Sequence, residues 1–266
     1  MKTSSLPLFL LLIGLPASLL TGCVPTVMTH RLEPISGDLA TIDGRVVTKA
    51  ERDGVGVVAS FEREDMDFVV LDVEVKNHTS HSIDVNPADF HFTALDAMQD
   101  TLKNSNSTGL LIARTAANPT YEMGRMGMKR KLEEKRLKRA KVINTILLVA
   151  AVASDVSATS SSRSYREWAA KRVSHDVAYQ AIAAKRVIDH STFSNRMQRY
   201  DYEEYRWREL ALRENALASG ESVRGFVYLP KVLGARYLAI RYTVPEQASV
   251  PLLFKQELVK NKKKRR

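Results

Sequence analysis

Two periodicities divide the chain. Apolar and polar residues alternate in its first and last parts, whereas apolar residues recur every three or four positions in the middle. Val55, Val57, Ala59 and Phe61 alternate with Gly56, Val58, Ser60 and Glu62. Val69, Leu71, Val73 and Val75 alternate with Val70, Asp72, Glu74 and Lys76. A period of two puts one set on a buried sheet face, so both segments predict strands. Shorter runs predict further strands over 83–85, 90–95, 223–229, 237–244 and 252–258. Turn chemistry at Asn77-His78-Thr79-Ser80, Asn86-Pro87 and Gly220-Glu221 separates them. Residues 23–42 hold Pro25, Pro34 and Gly37 with little periodicity and read as a tether.

The pattern changes at Pro119. Residues 121–152 lack proline and are rich in Leu, Met, Ala, Glu, Lys and Arg, which favour helix. The Ser/Thr cluster over 154–164 reads as a loop. Ser164-x-x-Glu167 then fits a capping box opening a second helix. Ala169, Val173, Val177, Ala181, Ala184 and Ile188 make its apolar stripe. A break over 190–194 and a third helix over 195–210 complete the block.

The chain therefore divides into a first β part over 43–118, a helical insertion over 119–210, a second β part over 211–258 and a basic tail over 259–266. The fold class is α+β: a β-sandwich of about seven strands, interrupted by a long helical hairpin. The competing arrangement makes the C-terminal strands a separate hairpin, but an isolated hairpin is marginal in water.

Composition adds a direction. There are 40 Lys and Arg against 30 Asp and Glu, a net charge of +10, which favours acidic partners such as anionic lipid or an acidic envelope polymer. The single cysteine, Cys23, forbids an intrachain disulfide. It follows Lys2, an apolar run over residues 6–20, and Leu20-Thr21-Gly22. This segment resembles the bacterial lipobox. The resemblance implies a signal peptide over 1–22, cleavage between Gly22 and Cys23, and acyl chains on Cys23 that anchor the protein to membrane. Stable anchoring takes two lipid signals. Val24 after the cysteine implies the outer membrane of a Gram-negative envelope.

A second resemblance concerns the β parts. Val69-x-Leu71-x-Val73-x-Val75-x-Asn77, Asn86-Pro87-x-x-Phe90 and Leu217-x-x-Gly220-Glu221-x-Val223-x-Gly225-Phe226-Val227-Tyr228 resemble the telokin-like, immunoglobulin-fold domains of bacterial lipoproteins. The resemblance implies an immunoglobulin-like sandwich and carries no catalytic residue. The family has no counterpart of the insertion over 119–210, so a function lodged there does not transfer.

No catalytic constellation stands out, and no cofactor is called for. His78-x-x-His81 with Asp84 and His91 nearby places two histidines in a turn and the third in a strand, short of a tetrahedral zinc set. Gly54-x-Gly56 does not precede a helix. Tyr200, Tyr202, Tyr205 and Trp207 alternate with Arg199, Arg206 and Arg208 in the manner of a base-stacking platform. Export excludes nucleic acid as the partner.

The insertion is the better candidate. Residues 125–141 carry nine basic side chains against Glu133 and Glu134, a net of +7. Lys129, Arg130, Lys131, Lys135, Arg136, Lys138, Arg139 and Lys141 are candidate contacts for anionic lipid or a partner. The segment 142–152 is apolar nearly all round, with Ile143, Ile146, Leu147 and Val149 as candidate helix contacts. About a dozen apolar residues fall short of a bilayer core of ~30 Å. Three arrangements compete: packing on the second helix, insertion of the tip into lipid, and association with an envelope protein or another copy.

Overall fold

The computed structural model describes residues 26–102 and 114–262. Cys23 and its leader lie outside the described residues, as do 263–266. Twelve strands are present among the described residues: β1 (Thr26–Pro34), β2 (Asp38–Ile42), β3 (Arg45–Arg52), β4 (Val55–Asp65), β5 (Phe68–Asn77), β6 (Ile83–Val85), β7 (Phe90–Leu95), β8 (Arg114–Thr115), β9 (Asn215–Leu217), β10 (Ser222–Pro230), β11 (Tyr237–Val244) and β12 (Ala248–Lys262). Two helices, α1 (Pro119–Ser160) and α2 (Tyr165–Tyr205), lie between β8 and β9.

The strands form two five-stranded sheets, in the orders β1-β12-β11-β7-β8 and β10-β5-β4-β3-β2, with a β6-β9 ribbon beside them. The pairings between these strands are antiparallel. Strands from before and after the helices share each sheet. Val223 of β10 sits opposite Val75 of β5, and Ile240 of β11 opposite Phe92 of β7. Inward-facing residues from both sheets, including Val57, Leu71, Phe90, Val227, Ile240 and Phe254, form one buried cluster. The molecule is thus a mixed α and β protein built on antiparallel sheets and a long helical pair.

Several expectations need correction. Residues 23–42 are not simply a tether, because β1 pairs along β12 from Thr26↔Lys262 to Pro34↔Phe254, and β2 pairs with β3. The tail likewise continues β12 to Lys262. β2 hid because it is an edge on which every residue is exposed, so no alternation marks it. β1 does alternate, but its inward positions are His30, Leu32 and Pro34, of which two are not ordinary strand-core residues. The strand total also rises from about seven to twelve through β1, β2, β3, β8 and β9. Pro251 in β12 has its physical place, since β1 stops opposite Phe254 and leaves only β11 beside it.

The helices are longer than expected. α1 runs through the Ser/Thr cluster to Ser160, and α2 passes residues 190–194 without a break. Asn118 caps α1 by accepting from the Tyr121 N–H at 3.1 Å. Ser164 caps α2 by accepting from the Glu167 N–H at 3.2 Å, while Glu167 accepts from the Arg163 N–H. α2 then passes into a π-helical turn over Arg206–Leu210, and the chain returns to the sheet at Leu212, whose N–H donates to Phe226 O. Gly225 makes that return fit: a Cβ there would meet the Leu212 backbone at 2.5 Å.

Candidate functional site

The base of the hairpin is fixed to the sheet by an aromatic box. Trp207, on the π-helical turn, is fully buried against Val70, Met126 and Tyr228. Its ring centroid lies 4.5 Å from that of Tyr228 and 5.5 Å from that of Phe68. The Arg206 guanidinium is 4.6 Å from the Trp207 ring centroid and 5.4 Å from those of Phe68 and Tyr228. Arg206 is only 2% exposed, so its charge needs a partner, and Asp65 at the end of β4 supplies it at 3.1 Å. Burial pushes the Tyr228 phenol up to about 12. Trp207 and Arg206 therefore belong to an anchor rather than to a stacking platform. The sequence hid this pair, because Asp65 and Arg206 are far apart in the chain.

From that anchor the two helices run antiparallel, joined by ionic contacts. Lys129 and Arg199 approach the buried Glu203 at 3.8 and 2.9 Å. Arg196 and Arg136 reach the buried Glu133 at 2.8 and 3.3 Å. Arg130 pairs with Asp201 and, at 2.7 Å, with Glu204. Farther out, Asn144 donates to Asp189 at 2.9 Å and Lys185 reaches the same carboxylate at 2.6 Å. These contacts hold the Asp189 carboxyl below its ordinary value. Near the tip, Arg172 faces Asp155 at 3.7 Å.

These contacts split the basic block. Lys129, Arg130 and Arg136 face carboxylates of the hairpin itself. Lys131, Lys135, Lys138, Arg139 and Lys141 are exposed and make no ion pair among the described residues. At 3.6 residues per turn, Lys131, Lys135 and Lys138 share the side of α1 turned away from α2.

The same contacts fix how each helix is rotated. On α1 the covered positions are Asn144, Leu148, Ala151, Asp155 and Ala158; on α2 they include Lys171, His175, Ala178, Ile182 and Asp189. Leu148, Ile182 and several alanines supply the apolar part of this seam, and the other large aliphatic residues of the distal hairpin lie elsewhere. Ile143, Ile146, Leu147 and Val149 are 50, 62, 41 and 62% exposed. Val173, Val177 and Ile188 of the α2 stripe are 64, 60 and 63% exposed. The expectation that the apolar segment packs on the second helix is corrected in part: the helices pair through Leu148, Ala151 and Ile182, but most of their large aliphatic side chains point outward. The apolar stretch is also longer than expected. Between Lys141 and Ser160 the only charge is Asp155, and α1 is long and apolar enough to cross a membrane, with 6% of that window buried.

The β-body offers a cleft of about 880 Å³, bordered by Lys49, Glu51, Arg52, His91 and Arg241. Some of its polar groups are already engaged. Glu51 holds His78 at 3.0 Å and Lys49 at 3.6 Å, and Ser36 Oγ accepts from the Leu253 N–H at 2.7 Å. No hydrogen-bonded nucleophile and base line it. The turn after β5 is organised by the buried Asn77, which donates to His81 O and Leu217 O. Among the described residues no three His, Cys, Asp or Glu side chains converge as metal ligands.

The distal hairpin, with its exposed apolar surface, is therefore the candidate site. No protein-family model, curated protein or solved structure significantly matches the chain.

Proposed function

We propose that this chain is a non-catalytic lipoprotein of the bacterial cell envelope. It would be cleaved between Gly22 and Cys23 and held by acyl chains on Cys23, at the outer membrane of a Gram-negative cell. The β-body is proposed as an immunoglobulin-like scaffold, and the hairpin as a surface for protein contact or self-association. One observation carries this reading: the distal hairpin exposes Ile143, Ile146, Val149, Val173, Val177 and Ile188, each at least half exposed. Fully burying such a side chain stabilises by about 1.5–3 kcal/mol, so several together favour a partner.

Insertion of the tip into anionic lipid is the second reading. The apolar window of α1 and the unpaired lysines of its basic stretch favour it. The composition of α2 opposes it. Lys171, Arg172, His175 and Asp176 lie about 14–21 Å from the tip at 1.5 Å per residue, beyond reach of either interface. A charge at the centre of a bilayer costs about 2.5–3.5 kcal/mol. Protein contact buries one flank of the hairpin and leaves those charges in water.

Two variants of the full chain test the proposal in cells. Cys23→Ala is expected to lose radiolabelled-palmitate incorporation and membrane retention. Replacing residues 145–187 by a short glycine-containing turn is expected to keep both and lose the chain's cross-links to protein. Undiminished palmitate labelling of the first variant, or an unchanged cross-link pattern in the second, overturns the corresponding half.

A further inference from the structure

Resting on the reading of the hairpin as an interaction surface, we infer that its partner is a second copy of this chain. The two hairpins lie antiparallel and close into a four-helix bundle. The two flanks of the hairpin differ. At 3.6 residues per turn, one flank carries Arg172 and Asp176 of α2 beside Val152 and Val156 of α1, and so pairs apolar with charged positions. The other carries Ile143, Leu147 and Ala150 of α1 beside Val177, Ala181 and Ile188 of α2, all exposed. This second flank is apolar on both helices and is the face that docks.

Its side chains are graded by size. Toward the base stand Ile143, Leu147 and Ile188; toward the tip stand Ser154, Ser157, Ala170 and Ser174, all exposed. An antiparallel copy lays the large residues of one hairpin over the small residues of the other, which lets the backbones approach and fills the space between them. A parallel copy sets large against large and leaves a gap at the tip. Charge gives the same answer. A parallel pair brings the two basic stretches that include Lys135, Lys138 and Lys141 side by side. An antiparallel pair separates them by about the length of the apolar overlap, ~28 Å at 1.5 Å per residue, well beyond a Debye length of ~8 Å.

The area suffices. A flank about 28 Å long and two helix diameters wide, ~20 Å, presents about 560 Å² per copy. The pair then buries about 1,100 Å², above the ~1,000 Å² that a specific interface needs. The arrangement is isologous, so a single contact satisfies both copies and closes the assembly.

Single cysteines in the full-length chain test this in cells, with the chain carrying only Cys23 as baseline. Ala150→Cys lies near the two-fold axis and is expected to cross-link to itself. Ser157→Cys is expected to cross-link to Ile143→Cys on a co-expressed copy and not to itself. Val156→Cys, on the other flank, is expected to stay at baseline. Leu147→Glu and Val177→Glu, at positions exposed in the single chain, are expected to abolish co-purification of two differently tagged copies. Self-linking of Ser157→Cys overturns the antiparallel order. Absence of any Ala150→Cys dimer overturns self-association. A photo-cross-linker at position 150 then separates the remaining outcomes. Capture of a different protein, lost in Val177→Glu, leaves the interaction-surface reading standing. Capture of lipid alone removes that reading too.

Discussion

The β-body and the distal hairpin are both rich in apolar residues and treat them in opposite ways. Val57, Leu71, Phe90 and Phe254 are buried between two sheets. Ile146, Val149, Val173 and Val177 stand in water. The difference is one of layers. An element buries its apolar face only against another layer. Each sheet has its counterpart, whereas each helix has a single neighbour, which covers one side of it. The seam between the helices is shared by Glu133, Asn144, Asp155 and Asp189 and their partners with Leu148, Ile182 and alanines, so most of the large aliphatic residues are left outside.

The largest effects should appear where the two regions join. Trp207→Ala removes the ring that docks the hairpin onto Tyr228 and Phe68. Urea denaturation should show a loss of about 3–5 kcal/mol. The matching change in the distal hairpin, Val173→Ala, should leave the stability of the β-body within about 0.5 kcal/mol. Equal effects from both would erase the contrast.

Asp65→Ala should cost nearly as much, about 3 kcal/mol, because Arg206 is left charged and buried without its counter-ion. Asp65→Leu combined with Arg206→Met should recover most of that loss. A double variant as unstable as the single one would show that the aromatic contacts of Arg206, rather than its charge pairing, hold the box.

Acidification should weaken the β-body through Glu64. Burial by itself would raise the Glu64 carboxyl. Hydrogen bonds from Lys231 and from the backbone and ring of His30 outweigh that and hold it below its ordinary value of 4.5. Because the folded value is the lower one, its contribution is fully present above about pH 4.5. It is lost as pH falls through the folded value. Glu64→Gln should therefore flatten the fall in stability below pH 4.5, read from denaturation midpoints across pH. An unchanged profile would move the acid sensitivity elsewhere.

Smaller effects should lie within the hairpin. Asn118→Ala removes the cap of α1 and should cost about 1 kcal/mol by thermal unfolding. Lys135→Ser, at an exposed position without an ion pair among the described residues, should change stability by less than about 0.5 kcal/mol. Arg196→Ser should cost more than Lys135→Ser, because it leaves the buried Glu133 with a weaker set of partners.

Local pattern determined much of this protein. The alternation in residues 55–62 and 69–76 marked β4 and β5, and Ser164-x-x-Glu167 marked the start of α2, because those signals lie within one element. The sequence alone also placed an apolar stretch after a basic one in α1. Tertiary structure decided what local pattern cannot hold. β2 and β3 exist through their pairing, with too few buried positions to show a period, and β1 alternates but turns His30 and Pro34 inward beside Leu32. Arg206 reads as an exposed cation until folding brings Asp65 beside it. The stripe from Ala169 to Ile188 reads as the seam of a hairpin. Its direction is set instead by Asn144 on Asp189 and Arg172 on Asp155, because polar contacts across two helices fix their rotation more narrowly than apolar contact does.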